Sequence, residues 1–242
     1  MGNFTFNGGK KDYISLLSSE RRPAFAPISR RLVTKPGLPG AHLVGTDTSP
    51  RVLPEPILID KEKSGYSNIE KLKEDLAAWL IKTDPVNLIF DDEPDRIYYA
   101  LVEGTLEFEE SYNYLIGTIS FICPDPYKYG AEDTVLLDAA PIMNMGTAEI
   151  PLIINATFKT VATEYKITHS NGKYVRVIWD FKVGDILEID LKKRKVTING
   201  VVHMTAYDWR SSPFMLLPGA NTLTVDPAGV ATTQITFRPR WL

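Results

Sequence analysis

The sequence predicts a mainly β chain with one prominent α-helix, and three observations predict it. Short apolar or alternating runs recur along the 242 residues, separated by clusters of Gly, Pro, Asn and Asp. Only one stretch, about 67–83, carries apolar residues at helical spacing. The length suits one large or two modest domains. With 44% hydrophobic and 24% charged residues, such a chain can bury a core without disulfide or metal staples.

The N-terminal elements come first. Tyr13-Ile14-Ser15-Leu16-Leu17 and Ile57-Leu58-Ile59 read as strands. Between them lie Pro36-Gly37-Leu38-Pro39-Gly40, Pro50, Pro54 and Pro56. Proline removes a ladder donor, so this region is not expected to form a continuous sheet interior. It reads as short edge strands joined by an extended arm or loop over about 35–56. Long loops of this kind commonly serve interactions. The helix follows. Ser67-Asn68-Ile69-Glu70 has a capping-box pattern with Ser67 as the cap. Ile69, Leu72, Leu76, Trp79 and Leu80 form its apolar face, and Pro85 stops it. Strands follow at Val86–Phe90, Ile97–Val102 and Leu115–Cys123, with the turn cluster Asp91-Asp92-Glu93-Pro94-Asp95 between the first two. Pro124 to Gly130 breaks the pattern, and a boundary at 135/136 gives domains 1–135 and 136–242.

The second domain reads as almost all β. Ile150–Phe158, Tyr165–Thr168, Tyr174–Trp179, Ile186–Asp190, Val196–Val202, Thr222–Val225 and Thr233–Phe237 are short strands with Gly and Asn turns between them. This spacing predicts a β-sandwich. Asn199-Gly200 is a two-residue hairpin signal, because both central positions of that turn need a left-handed backbone.

Composition narrows the function. The net charge of −3 and the scattered cations do not make a nucleic-acid footprint. The densest cationic runs are Lys192-Lys193-Arg194-Lys195 and Arg21-Arg22 with Arg30-Arg31; the first sits between two strand-like stretches and reads as a solvated turn. The single cysteine, Cys123, sits in the apolar run Ile119–Cys123 and reads as a small buried hydrophobe, in keeping with assembly in a reducing cytosol. No apolar run reaches membrane-span length, and the first residues lack a signal peptide's basic start and apolar core.

No catalytic, cofactor-binding or metal-ligating residue is assigned. His42, His169 and His203 lack metal-ligand spacing. Gly8-Gly9-Lys10-Lys11 lacks the strand-loop-helix setting of a phosphate cradle. Glu103, Glu107 and Glu109 would share one face of a strand with Glu110 opposite, which describes a solvated edge better than a glycosidase pair. Tyr98, Tyr99, Tyr112, Tyr114, Trp179, Tyr207, Trp209 and Trp241 could stack on sugar if exposed, but each reads first as packing.

Two segments are familiar in combination: Leu88-Ile89-Phe90-Asp91-Asp92-Glu93-Pro94-Asp95-Arg96-Ile97-Tyr98-Tyr99-Ala100 and Phe121-Ile122-Cys123-Pro124-Asp125-Pro126-Tyr127-Lys128-Tyr129-Gly130. Asn144-Met145-Gly146, Gly184-Asp185 through Asp190, Val196 through Gly200, and Leu216 through Asn221 follow in order. Together they resemble the distal tail protein family of siphophages from about Ile57 onward.

The resemblance implies an N-terminal ring-forming domain, hexameric around a lumen that continues the tail tube, and a C-terminal galectin-like β-sandwich. It implies a structural role at the virion tail tip, no enzymatic activity and no cofactor. The implied neighbours are the tail tube protein, a tail-associated fibre or lysin protein, and the tape-measure protein. DNA would only pass through the lumen, which suits the acidic balance. The other reading is a carbohydrate-binding β-sandwich protein that recognises host surface glycans. Interface residues are not assigned by the sequence, beyond the 35–56 arm as the element expected to reach a neighbouring subunit.

Overall fold

The computed structural model describes residues 2–17, 22–137 and 140–242; Arg21 of the basic run lies outside them. Two compact units part between Tyr129 and Gly130. The boundary expected at 135/136 falls too late, because residues 133–136 already form a strand that pairs within the second unit.

The first unit contains β1 (Phe4–Phe6), β2 (Ile14–Leu16), β3 (Ile28–Val33), β4 (His42–Thr48), β5 (Arg51–Asp60), α1 (Lys61–Ser64), α2 (Ile69–Leu80), β6 (Val86–Phe90), β7 (Tyr98–Glu103), β8 (Phe108–Ser111), β9 (Tyr114–Cys123) and β10 (Lys128–Tyr129). Its main sheet runs β1-β6-β7-β9-β5-β2, with β8 added on β9. The Leu16 N–H donates to the Gly2 carbonyl at 2.9 Å, so β2 returns to the chain just ahead of β1 and the sheet closes into a barrel. Closure removes the open edges that a flat sheet would present. Strand alternation fills the interior: Leu115, Ile119, Phe121 and Cys123 of β9 point inward with Leu53, Ile57 and Ile59 of β5.

Asn7-Gly8 makes the β1 turn. Both residues are left-handed (φ 51° and 74°), and Phe6 and Gly9 exchange both backbone hydrogen bonds. This is a two-residue hairpin turn, and glycine takes its second position without strain.

β5 departs from the sequence reading. It is a ten-residue interior strand that pairs with β9 from Arg51↔Cys123 to Asp60↔Tyr114, through Pro54 and Pro56. In an antiparallel strand successive residues turn their backbone groups to opposite neighbours. Leu17 donates to the Pro56 carbonyl, and Asp60 donates to Tyr13, so Pro54, Pro56 and Leu58 face the β2 side. β2 pairs only with Ile57–Ile59. The donors that both prolines lack therefore point past the end of β2, and the ladder to β9 stays intact. The arm expected over 35–56 is thus cut short at its C-terminal end.

The helix is shorter than the 67–83 expected. Asn68, not Ser67, is the cap: it is extended, and its side chain accepts the Glu70 N–H at 2.8 Å. Ile81 is already extended, so the helix ends at Leu80. Leu72, Leu76 and Leu80 are buried on the barrel core. Each such burial is worth about 1.5–3 kcal/mol. Trp79 stacks on Phe4 at 5.4 Å and donates its indole N–H to the Phe6 carbonyl at 3.1 Å. Asp75 accepts from Lys11 and from the Tyr13 hydroxyl, each at 2.7 Å. The helix is thereby bolted to the first hairpin.

The second unit is a two-sheet sandwich. Its strands are β11 (Asp133–Leu136), β12 (Ile142–Asn144), β13 (Leu152–Phe158), β14 (Ala162–His169), β15 (Tyr174–Phe181), β16 (Ile186–Asp190), β17 (Lys195–Ile198), β18 (Val201–Val202), β19 (Gly219–Asn221), β20 (Leu223–Asp226), β21 (Ala231–Phe237) and β22 (Arg240–Trp241). One sheet is β11-β21-β13-β16-β17-β18, the other is β15-β14-β20, and β12 pairs with β19. Leu152, Ile154, Ala156 and Phe158 face Tyr165, Ile167, Val175 and Val177 in one core. Phe158 stacks on Phe181 at 3.9 Å.

Candidate functional site

One element stands apart from both cores. Among the described residues, β3 and β4 pair only with each other, and every residue of β3 is exposed. Phe25, Leu32, Val33, Leu38, Leu43 and Val44 are 54–64% exposed. An isolated two-stranded ribbon is marginal in water, and so much clustered aliphatic surface marks an interaction element. Arg31 pairs with Asp47 at 2.9 Å and Arg30 donates to the Thr46 hydroxyl, which stiffens the ribbon locally.

The ribbon is rooted in buried charge. Arg22, just ahead of it, lays its guanidinium 4.1 Å over the Phe90 ring and pairs with Asp92. Its Nε stands 3.1 Å from Glu55, outside hydrogen-bond alignment. Arg51, just after the ribbon, donates to the carbonyls of Pro126 at 3.1 Å and Pro23 at 3.4 Å. Arg51 and Glu55 are both inaccessible and share the inward face of β5 with Leu53, Ile57 and Ile59. Among the described residues, neither Glu55 oxygen has a hydrogen-bond partner. Burial therefore pushes the Glu55 carboxyl up to about 7; the Arg22 cation opposes this and the Asp92 charge adds to it.

The two segments that stood out in the sequence meet at this root. Glu93 accepts from the Tyr98 hydroxyl at 2.8 Å and pairs with Lys128. Asp125 accepts from the Tyr129 hydroxyl at 2.7 Å, and Ile97 and Tyr129 exchange backbone hydrogen bonds at 2.8 Å. Burial first, and then the Glu93 bond, raises the Tyr98 hydroxyl well above its ordinary range. The second-unit motifs are locks of the same kind. Asn199 donates to Asp185 and accepts from the Ile186 N–H, both at 2.9 Å. Buried Asn144 accepts from the Gly146 N–H at 2.8 Å, and a Cβ on Gly146 would lie 2.4 Å from the Arg240 carbonyl. Asn221 holds the Leu217 backbone at 2.8 Å in both directions.

Residues 9–123 match a family described as a phage tail protein RIFT-related domain. Residues 145–241 match the C-terminal domain of a siphovirus-type tail component. The distal tail protein of Bacillus phage SPP1 is 35% identical over 176 residues, which span 69% of this chain and 70% of that one. The chain belongs to the distal tail protein family of siphophages. The crystal structure of the SPP1 Dit protein, described as a paradigm of the hub adsorption apparatus in phages infecting Gram-positive hosts, superposes with a TM-score of 0.85 at 24% identity over all of both chains. The phage P2 baseplate is a more distant match, with a TM-score of 0.48 and 9% identity over 99% of this chain and 98% of that one.

In this distal tail family member, the histidines weighed as ligands are dispersed. His42 is exposed on the ribbon, and His203 packs its ring 4.5 Å from Trp179. His169 is a satisfied core residue: its Nδ1 accepts the Asn171 N–H, so its Nε2–H donates to Asn221 at 2.9 Å. Among the described residues, no group of three His, Cys, Asp or Glu side chains could hold a metal ion. No helix of the described residues is long and apolar enough to cross a membrane. Cys123 is fully buried, and burial pushes its thiol up to about 12. Glu103, Glu107, Glu109 and Glu110 are all exposed, but they do not share one strand: a bend at Gly104 and an irregular stretch to Glu107 separate β7 from β8. Of the aromatics, Tyr98 is buried, whereas Tyr112 (89%) and Trp209 (82%) are the most exposed. Arg210 lies over the Trp209 ring at 5.3 Å. Sequence reasoning missed the root formed by Arg22, Arg51 and Glu55. Its signal was two charges in phase with the inward residues of an alternating strand.

Proposed function

We propose that this protein is the structural hub at the distal end of a siphophage tail. Six copies form a ring whose lumen continues the tail tube, and each ribbon reaches the next subunit. The observation that carries this reading is the ribbon itself: a closed barrel extends an arm of clustered, exposed aliphatic side chains from a buried, braced root. Head-to-tail contacts between non-identical patches close into rings when the rotation permits. The ribbon needs a partner surface that its own barrel does not supply.

The partners fit the same reading. The tail tube protein would sit above, the fibre or lysin protein below, and the tape-measure protein within, with DNA in transit through the lumen. Synthesis and assembly would occur in the host cytoplasm. The protein acts by assembly rather than catalysis. Light scattering after size exclusion tests the reading: six chains of 27.1 kDa give roughly 160 kDa. Electron micrographs of that species should show a central hole. A monomer that persists at high concentration and in the presence of the tube protein would sink the ring.

A further inference from the structure

We infer that a cavity of the second unit is a docking site for a peptide segment of another protein, one that sets an aromatic or branched aliphatic side chain inside and an acidic side chain at the mouth. The cavity has a volume of about 440 Å³, within the range of sites that hold a ligand. One wall is the β16–β17 hairpin, with Ile189, Leu191 and Val196, and the other is the 204–213 segment, with Met204, Tyr207 and Pro213. The walls are tied together: the Val196 N–H meets the Met204 sulfur at 3.3 Å, and the His203 N–H donates to the Val196 carbonyl at 3.0 Å. The cavity is therefore formed before any ligand arrives, and its apolar walls suit an anchor of the kind that fills the central pockets of protein interfaces.

Charge selects the occupant. Asp190, Arg194 and Lys195 complete the lining. Asp190 is already occupied: its Oδ1 accepts the Lys193 N–H at 2.9 Å, and its Oδ2 lies 3.4 Å from the Lys193 ammonium. Among the described residues, Arg194, Lys195 and neighbouring Lys192 have no acidic partner. Arg194 closes the turn between paired Asp190 and Lys195 in the left-handed region, at φ 52°. Glycine takes such a position without strain, so arginine there carries a cost that a merely solvated turn would avoid. Its charge reaches the cavity: burial raises the Tyr207 hydroxyl, and the Ser211 bond and then the Arg194 cation draw it back. The polar groups left for a ligand are thus cations. A neutral sugar would need free amides or carboxylates, and the one carboxylate in the lining is taken. A bare anion would make no use of the apolar walls. A peptide with an acid beside an apolar anchor meets both. The same stretch of chain also exposes Met204, Trp209 and Met215, with Arg210 over the Trp209 ring, and these are residue types that protein interfaces concentrate.

Methyl NMR on the full chain with labelled methionines tests this, because Met204 lines the cavity and the chain has only five methionines. The probes are the capped tripeptides Glu-Phe-Glu, Gln-Phe-Gln and Glu-Ala-Glu, and inorganic phosphate. The expected result is a Met204 methyl shift that saturates with the first peptide about ten-fold more tightly than with any other probe. Arg194→Gly should weaken that binding by about ten-fold with no fall in Tm, since glycine fits the left-handed turn, and Arg194→Lys should keep most of it. A Met204 methyl that stays still would overturn the inference. So would equal affinity for the acidic and neutral peptides, phosphate binding as tight as that of the first peptide, or an Arg194→Gly chain that binds like the wild type. The ring is tested by solution mass, so a hexamer that ignores these peptides would reject this site and leave the ring standing.

Discussion

Glu55 makes the stability of the first unit depend on pH in a direction opposite to most carboxylates. Its folded pKa of about 7 lies above its ordinary value of 4.5. Between those values the native state holds a proton that the unfolded state has released. Stability from this group is therefore complete below pH 4.5 and is lost as pH rises through 7. A gap of about 2–3 pH units corresponds to roughly 3 kcal/mol, most of which falls between pH 5 and 8. Glu55→Gln keeps the shape and removes the titration. We predict that calorimetry at fixed protein concentration will show the wild-type first unit losing about 2–3 kcal/mol more than Glu55→Gln between pH 5 and 8. For a unit of this size that is roughly 10 °C in Tm. If the two proteins track each other within about 0.5 kcal/mol across that range, the assignment of a proton to buried Glu55 is wrong.

Three further outcomes follow from the packing. Gly146→Ala should destabilise the second unit by about 2 kcal/mol or more in urea unfolding, because its Cβ would meet the Arg240 backbone at 2.4 Å; a neutral effect would mean that the contact between Gly146 and Arg240 is loose. Leu76→Ala should cost about 2–5 kcal/mol in the first unit, since Leu76 is 2% exposed beneath the helix, and a change below 1 kcal/mol would contradict that packing. Cys123 should resist thiol reagents at pH 8 until the chain is unfolded, because its thiol is buried and its pKa stands near 12; rapid labelling of the native protein would show that the barrel end is open.

Much of this fold is legible in local chemistry. The helix shows in the Leu72, Leu76 and Leu80 stripe, and the Asn199-Gly200 turn folds as its two residues require, with φ 52° and 79°. The misreadings have specific causes. Asn7-Gly8 carries the same hairpin signal, masked by the Gly8-Gly9-Lys10-Lys11 string that overlaps it. Ser67 and Asn68 are both competent caps, and sequence alone does not choose between adjacent candidates. Pro54 and Pro56 argued against an interior strand, and only the register of β5 shows that their missing donors face past the end of β2. The candidate site was half legible. An arm was evident from its prolines and glycines, yet its true span includes β3, whose Arg30-Arg31 gave no strand signal. The root joins residues far apart in sequence, Arg22, Glu55 and Asp92, and no local pattern reports such contacts. The family motifs, by contrast, were visible as strings while their purpose was not: they are hydrogen-bonded locks rather than a chemical centre.

The account turns on whether the ribbon builds the ring. The most direct measurement is the solution mass of two proteins side by side: the intact chain, and a chain in which residues 28–48 are replaced by a short Gly-Ser link. The account predicts roughly 160 kDa for the first, six chains of 27.1 kDa, and a folded monomer for the second. A ribbon-deleted chain that still forms the hexamer would contradict it.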